Sequence, residues 1–239
     1  MQNIRIVLVN TSHPGNIGAA ARAMKNMGLE RLYLVQPREF PHEEATARAS
    51  GADDILARAK VCSTLEEALT GCSLTFGSSA RRRYIAWPQV NARECATLVA
   101  QQPLESEIAL VFGREQTGLH NEELDRCNYL VHIPCNPDFS SLNVASAVQV
   151  LSYELRMQTL EGEAAAKPDQ APLATTEEIE RMFNHFEQVL VKIGFMDPEN
   201  PRLVMRRLRR LFNRTGLEKV EINILRGILT EMENAIKNK

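Results

Sequence analysis

The chain has 239 residues, 44% of them hydrophobic, and a formal net charge of −2. That length allows a sizeable core in one large domain or two smaller ones, and the charge balance excludes a strongly basic or acidic chain. No apolar run reaches the roughly 18 residues that a membrane span needs, and the start shows no basic n-region, long apolar h-region or cleavage site. The expectation is a cytoplasmic protein with no membrane partner.

Residues 4–9, Ile-Arg-Ile-Val-Leu-Val, read as a first strand. A glycine-containing loop, 10–18, leads into a helix over 19–27 that Gly28 closes. A second strand follows over 32–35, then a helix within 43–59 that Ser50-Gly51 interrupts. Residues 60–62 form a short third strand, and Thr64 to Glu67 matches a capping box.

Leu74-Thr75-Phe76 ends in Gly77-Ser78-Ser79-Ala80, and Arg81-Arg82-Arg83 with Tyr84 and Trp87 come next. Arginines among aromatics suit phosphate contact and base stacking, although Trp87 is better placed in the core. After a helix over 91–101, the apolar runs 108–112 and 129–133 each feed a small-residue loop, 113–119 and 134–143. A long helix over 144–160 closes this part. Strands and helices alternate, so the expected fold is α/β, a mostly parallel sheet with helices on both faces and a ligand site at strand ends.

Residues 161–175 have linker composition with two prolines. The expected units are therefore a sheet domain over 1–160, a linker over 161–175 and a helical extension over 176–239. In the extension Thr176 is positioned to cap a helix whose apolar stripe is Ile179, Met182, Phe183, Phe186 and Leu190, with two more helices over 201–213 and 220–236. Six arginines and no acidic residue lie between Arg202 and Arg214. A helix there turns Leu203, Val204, Leu208, Leu211 and Phe212 toward a core and Arg206, Arg209 and Arg210 outward, a plausible footprint for nucleic acid.

Several chemistries are excluded. Gly15 and Gly18 do not make Gly-x-Gly-x-x-Gly, and Gln36-Pro37 stands where a dinucleotide site needs an acidic residue. No Gly-Lys-Ser or Gly-Lys-Thr occurs. The five cysteines, at 62, 72, 95, 127 and 135, form no Cys-x-x-Cys pair, so reduced thiols and no metal site are expected. What the first loop offers is backbone amides at a helix start, an anion seat, beside Asn16 and Arg22.

Three ordered motifs resemble the SPOUT superfamily, specifically its TrmH-like RNA ribose methyltransferases: Asn16 to Arg22, Leu110 to Leu119, and Ile133-Pro134 with Ser140 to Ala145. The likeness runs over about residues 4–155 and is greatest to bacterial tRNA (cytidine/uridine-2′-O-)-methyltransferases. It implies a carboxyl-terminal trefoil knot, S-adenosyl-L-methionine as methyl donor, a homodimer, and methylation of the pyrimidine at anticodon-loop position 32 of tRNA. Carried over, Gly113, Ile133, Ser140, Ser141 and Leu142 hold the cofactor, with Ser78, Ser79 and Ala80 beside it. Arg22 falls on the catalytic arginine. Asn16, Arg114, Glu115, Ser141 and Asn143 fall on supporting polar positions, Arg83 falls on one that meets RNA, and Arg114 is expected to meet RNA as well.

Guanidinium stays protonated to about pH 12 or beyond, so Arg22 is expected to stabilise developing oxyanion charge while Asn16 and Ser141 fix the ribose. Three alternatives remain: a ribosomal RNA ribose methyltransferase, a non-catalytic RNA-binding relative, and a base methyltransferase using Glu115 or Asp138.

Overall fold

The computed structural model describes residues 1–79, 87–162, 172–199 and 203–237. Among them is one seven-stranded sheet in the order β3-β2-β1-β6-β4-β7-β5, every pairing of which is parallel. The central strands are β1 (Ile4–Val9), β6 (Glu107–Phe112) and β4 (Cys72–Ser78), and β2 (Arg31–Val35) and β7 (Tyr129–Val131) flank them. The edges are β3 (Lys60–Cys62) and β5 (Gln89–Val90).

The apolar runs are buried on both faces, as parallel strands require. Ile6 and Leu8 join one core, which holds residues of α1 (Pro14–Asn26), α2 (Glu43–Ala49), α3 (Asp53–Ala57), α5 (Ala92–Ala100) and α7 (Val144–Gly162). Val7 and Val9 face the other, where α4 (Leu65–Leu69) and α6 (Asn121–Leu124) supply Leu65, Leu69 and Leu124. Ser50 and Gly51 take positive φ and separate α2 from α3, so the expected break is real. Trp87 is buried, and its Nε1 donates to Cys127 O at 3.0 Å.

The tail forms α8 (Thr176–Lys192), α9 (Val204–Asn213) and α10 (Lys219–Lys237) around Met182, Phe183 and Ile222. Thr175, not Thr176, caps α8, accepting from Glu178 N. Thr176 instead donates through Oγ1 to Cys72 O at 2.7 Å, while Glu177 accepts from Gly71 N at 2.8 Å. These contacts seat α8 on the amino end of β4.

The face that α9 turns outward also differs from the expectation. Arg206 donates to Asp125 at 3.0 Å and lies 6.0 Å from the Trp87 ring, and Arg209 pairs with both oxygens of Glu180 over the Phe183 ring. Arg210 is half-buried with its Nε unpaired. Leu203 and Leu211, expected inside, are 40% and 43% exposed, and Arg207 and Arg214 share that outer side. Carboxylates and rings brought from distant segments bury the cations that helical spacing alone turns outward.

Candidate active site

Three neighbouring strands, β6, β4 and β7, end at one hollow. It measures about 220 Å³ and is lined by Ser78, Ser79, Phe112, the loop from Gly113 to Gly118, Ile133, Cys135, Ser140 to Leu142, Val144 and Ala147. The two loops singled out in the sequence therefore face each other across it. Gly113 is required for the first, since a Cβ there would lie 2.2 Å from Gly118 C and Leu119 N. Arg114 and Gly118 bond to each other through their backbones, closing the turn.

Of the cofactor residues expected from the resemblance, Ser78, Ser79, Gly113, Ile133, Ser140, Ser141 and Leu142 all line the hollow. Ala80 and Arg83 lie outside the described residues. Phe112, Val144 and Ala147 add apolar wall that the sequence reading missed. Cys135 lines it as well. Apolar wall, serine hydroxyls and loop backbone suit a nucleoside whose ring is read at its edge. Among the described residues no cluster of three His, Cys, Asp or Glu could hold a metal.

A polar row borders this hollow. Asn143 Nδ2 donates to Asn16 Oδ1 at 2.8 Å, and Asn16 Nδ2 donates to Glu115 Oε1 at 2.9 Å. Glu115 also accepts from Ser12 N at 3.2 Å, Ser12 Oγ at 3.0 Å and His13 N at 3.3 Å. Burial pushes the Glu115 pKa up, but the bonds from Asn16, Ser12 and His13 outweigh it and hold the carboxyl below its ordinary value. The anion seat expected at the start of α1 is thus filled from within the chain, by a carboxylate about a hundred residues later.

Arg114, expected to meet RNA, points elsewhere. It makes two bonds of 3.0 Å to Glu123 and a further one to Asn10 Oδ1. A bidentate carboxylate fixes the guanidinium as a brace of the loop. Arg22 is exposed on α1, makes no bond or ion pair among the described residues, and lines neither this hollow nor the one next to it. It lies six residues past Asn16 on the outer side of the helix, about 9 Å along the axis.

That second hollow, about 290 Å³, is bounded by His13, Gly15, Asn16, Ala19, Glu44, Arg48 and Asn143. Asn16 and Asn143 belong both to its wall and to the polar row.

Residues 3–153 match the family model of the SpoU rRNA methylase family, and residues 177–239 match that of the tRNA methyltransferase TrmJ C-terminal domain. The chain is 55% identical to the tRNA (cytidine/uridine/adenosine-2′-O-)-methyltransferase TrmJ of Pseudomonas aeruginosa, over 99% of this chain and 96% of that protein. It is 49% identical to the tRNA (cytidine/uridine-2′-O-)-methyltransferase TrmJ of Klebsiella pneumoniae, over the whole of both. Among solved structures, TrmJ from Z. mobilis superposes with a TM-score of 0.83 at 35% identity, covering 96% of this chain and 98% of that one.

Proposed function

The chain belongs to the SpoU methylase family, and on that premise we propose that it methylates the ribose 2′-oxygen of a tRNA nucleotide, the pyrimidine at anticodon-loop position 32. The observation that carries the reading is the adjacency of two hollows that meet at the Glu115, Asn16 and Asn143 row. One suits a nucleoside cofactor, and the other leaves room for an acceptor.

S-adenosyl-L-methionine, bound in the first hollow, supplies an electrophilic methyl group. Gly113, Ile133, Leu142 and the hydroxyls of Ser78, Ser79, Ser140 and Ser141 hold it there. The chain's part in the transfer is to align the 2′-oxygen and to favour the charge that grows on it. Asn16 and Asn143 form the rail on which the ribose rests, and Glu115 locks the rail by accepting from Asn16. Ser141 borders the same gap. The resemblance gives the developing oxyanion to Arg22, whose guanidinium makes no hydrogen bond or ion pair among the described residues and lines neither hollow, so the bound RNA must bring the two together. Proton removal is left to solvent or to a phosphate oxygen of the RNA, since guanidinium is a poor base.

The homodimer and the knot belong to the same reading. Leu142, which lines the first hollow, and Phe139 and Tyr153 of the same loop and the helix after it are 40%, 81% and 48% exposed, apolar side chains for a second copy to cover. The sheet order sets β6 between β1 and β4, and α7 leaves the third loop to pack on the earlier α1 and α5. No helix among the described residues is long and apolar enough to cross a membrane, and the proposed place of work is the cytoplasm, with tRNA. Arg207 and Arg214 replace Arg206 and Arg209 as the tail's open cations for RNA.

Incubating the protein with tRNA and methyl-labelled cofactor, then analysing ribonuclease fragments and nucleosides by mass spectrometry, tests both the position and the sugar. The expected product is a 2′-O-methylpyrimidine at position 32. Label on a base, or none on tRNA, overturns the proposal.

A further inference from the structure

The second hollow holds an arginine for which the transfer described above has no use. Arg48, in the last turn of α2, is exposed and makes no hydrogen bond or ion pair among the described residues. It lines the hollow together with Asn16 and Asn143. Among the described residues the one other arginine on either wall, Arg114, is fixed by Glu123. Glu44, one turn before Arg48, faces His13 Nδ1 at 3.7 Å and not the guanidinium. Gly15 keeps this rim open: a Cβ there would lie 2.9 Å from Glu44 Oε1 and 3.2 Å from His13 Nδ1.

We propose that this hollow seats the phosphodiester next to the target ribose, with Arg48 as the cation that holds it. The inference rests on the ribose methylation reading. A 2′-hydroxyl presented at the Asn16 and Asn143 row carries the 3′-phosphate on the neighbouring ring carbon. An anion is therefore delivered to the acceptor side whenever the hydroxyl is in place. The planar guanidinium matches two phosphate oxygens, and the free N–H of each amide serves the ribose oxygens. Glu44 repels the phosphate and, paired across the rim with His13, confines it to the Arg48 side. Arg48 is thus a positioning residue for RNA, acting on a different face of the site from the cofactor loops.

The test uses the full chain and full-length tRNA, comparing Arg48→Ala and Arg48→Lys with the parent. Arg48→Ala should raise KM for tRNA about 10-fold, the loss of one charge-assisted contact, with kcat and cofactor affinity close to parental. The dependence of log KM on log salt should become shallower by about one counterion. Lysine should restore the salt slope and part of the KM. Unchanged KM and salt slope in Arg48→Ala overturn the inference, and so does a fall in kcat alone. A parent that methylates no tRNA ribose overturns the functional reading instead, so the two failures are distinguishable.

Discussion

Asn16 donates its side-chain amide to Glu115 across 2.9 Å, joining the first turn of α1 to the loop after β6. The two residues are 99 positions apart in the chain, so neither motif by itself holds the polar row. The carboxylate aligns the amide, and the amide in turn accepts from Asn143.

Glu115→Gln should cut kcat/KM about 10²-fold, the usual cost of a displaced acceptor, while cofactor affinity, measured by calorimetry, stays within a few-fold. It also has a pH signature. The folded pKa of Glu115 is depressed, so its stabilisation is complete above the ordinary value of about 4.3 and is lost as pH falls through the lower, folded value. Urea midpoints followed into acid should show that decline in the parent and a smaller one in the glutamine variant.

Arg22 makes no hydrogen bond or ion pair among the described residues, which makes its substitution a clean probe. Arg22→Ala should lower kcat by about 10²- to 10³-fold, as removal of one oxyanion donor does. Thermal stability should stay within about 0.5 kcal/mol, typical of a surface change. Single-turnover methyl transfer with saturating tRNA measures the first, and parental rates there remove Arg22 from the chemistry.

Cysteine reactivity reports on the first hollow. Burial raises the thiols of Cys72 and Cys127 to about 12 and that of Cys95 further, so they present little thiolate near neutral pH. Cys135 is half-buried and lines the hollow. Peptide mapping after brief maleimide treatment should find Cys135 modified first, and S-adenosylhomocysteine should slow that reaction alone. Equal rates with and without it remove the ligand from the Cys135 wall.

The ion pair between Arg206 and Asp125 should contribute little to docking of the tail. Burial pushes the Asp125 carboxyl up more than Arg206 and Arg209 pull it down, so the charged form is disfavoured in the fold. Stability from this group is greatest below the unfolded value and declines as pH rises through the raised, folded one. Asp125→Asn should therefore be neutral or stabilising near pH 7. Arg206→Ala, which strands the carboxylate, should cost about 1–3 kcal/mol. Denaturant unfolding of both variants checks the pair.

The strand runs and the two ligand loops were legible because a buried parallel sheet needs long apolar stretches and its ligand loops need small residues. β5 and α6 were not, since two and four residues are too short for any periodicity. The facing of α9 escaped for another reason. Helical spacing sorts cations outward, but Asp125, Glu180, Trp87 and Phe183 come from outside that helix. Arg114 misled in the same way, since its brace to Glu123 depends on how the loop folds back. Arg48 carried no signal beyond its place on a short helix, and only the approach of α2 to α1 gives it one.

The seat of α8 lies far from the loops of the first hollow. Gly71 and Cys72 hold α8 at the amino end of β4, whereas Ser78 at the other end lines that hollow. Six residue steps along the strand separate Cys72 from Ser78, about 20 Å. Loosening the seat, as Thr176→Val would by removing its bond to Cys72 O, therefore acts on the anchorage of the tail without touching the loops around the hollow.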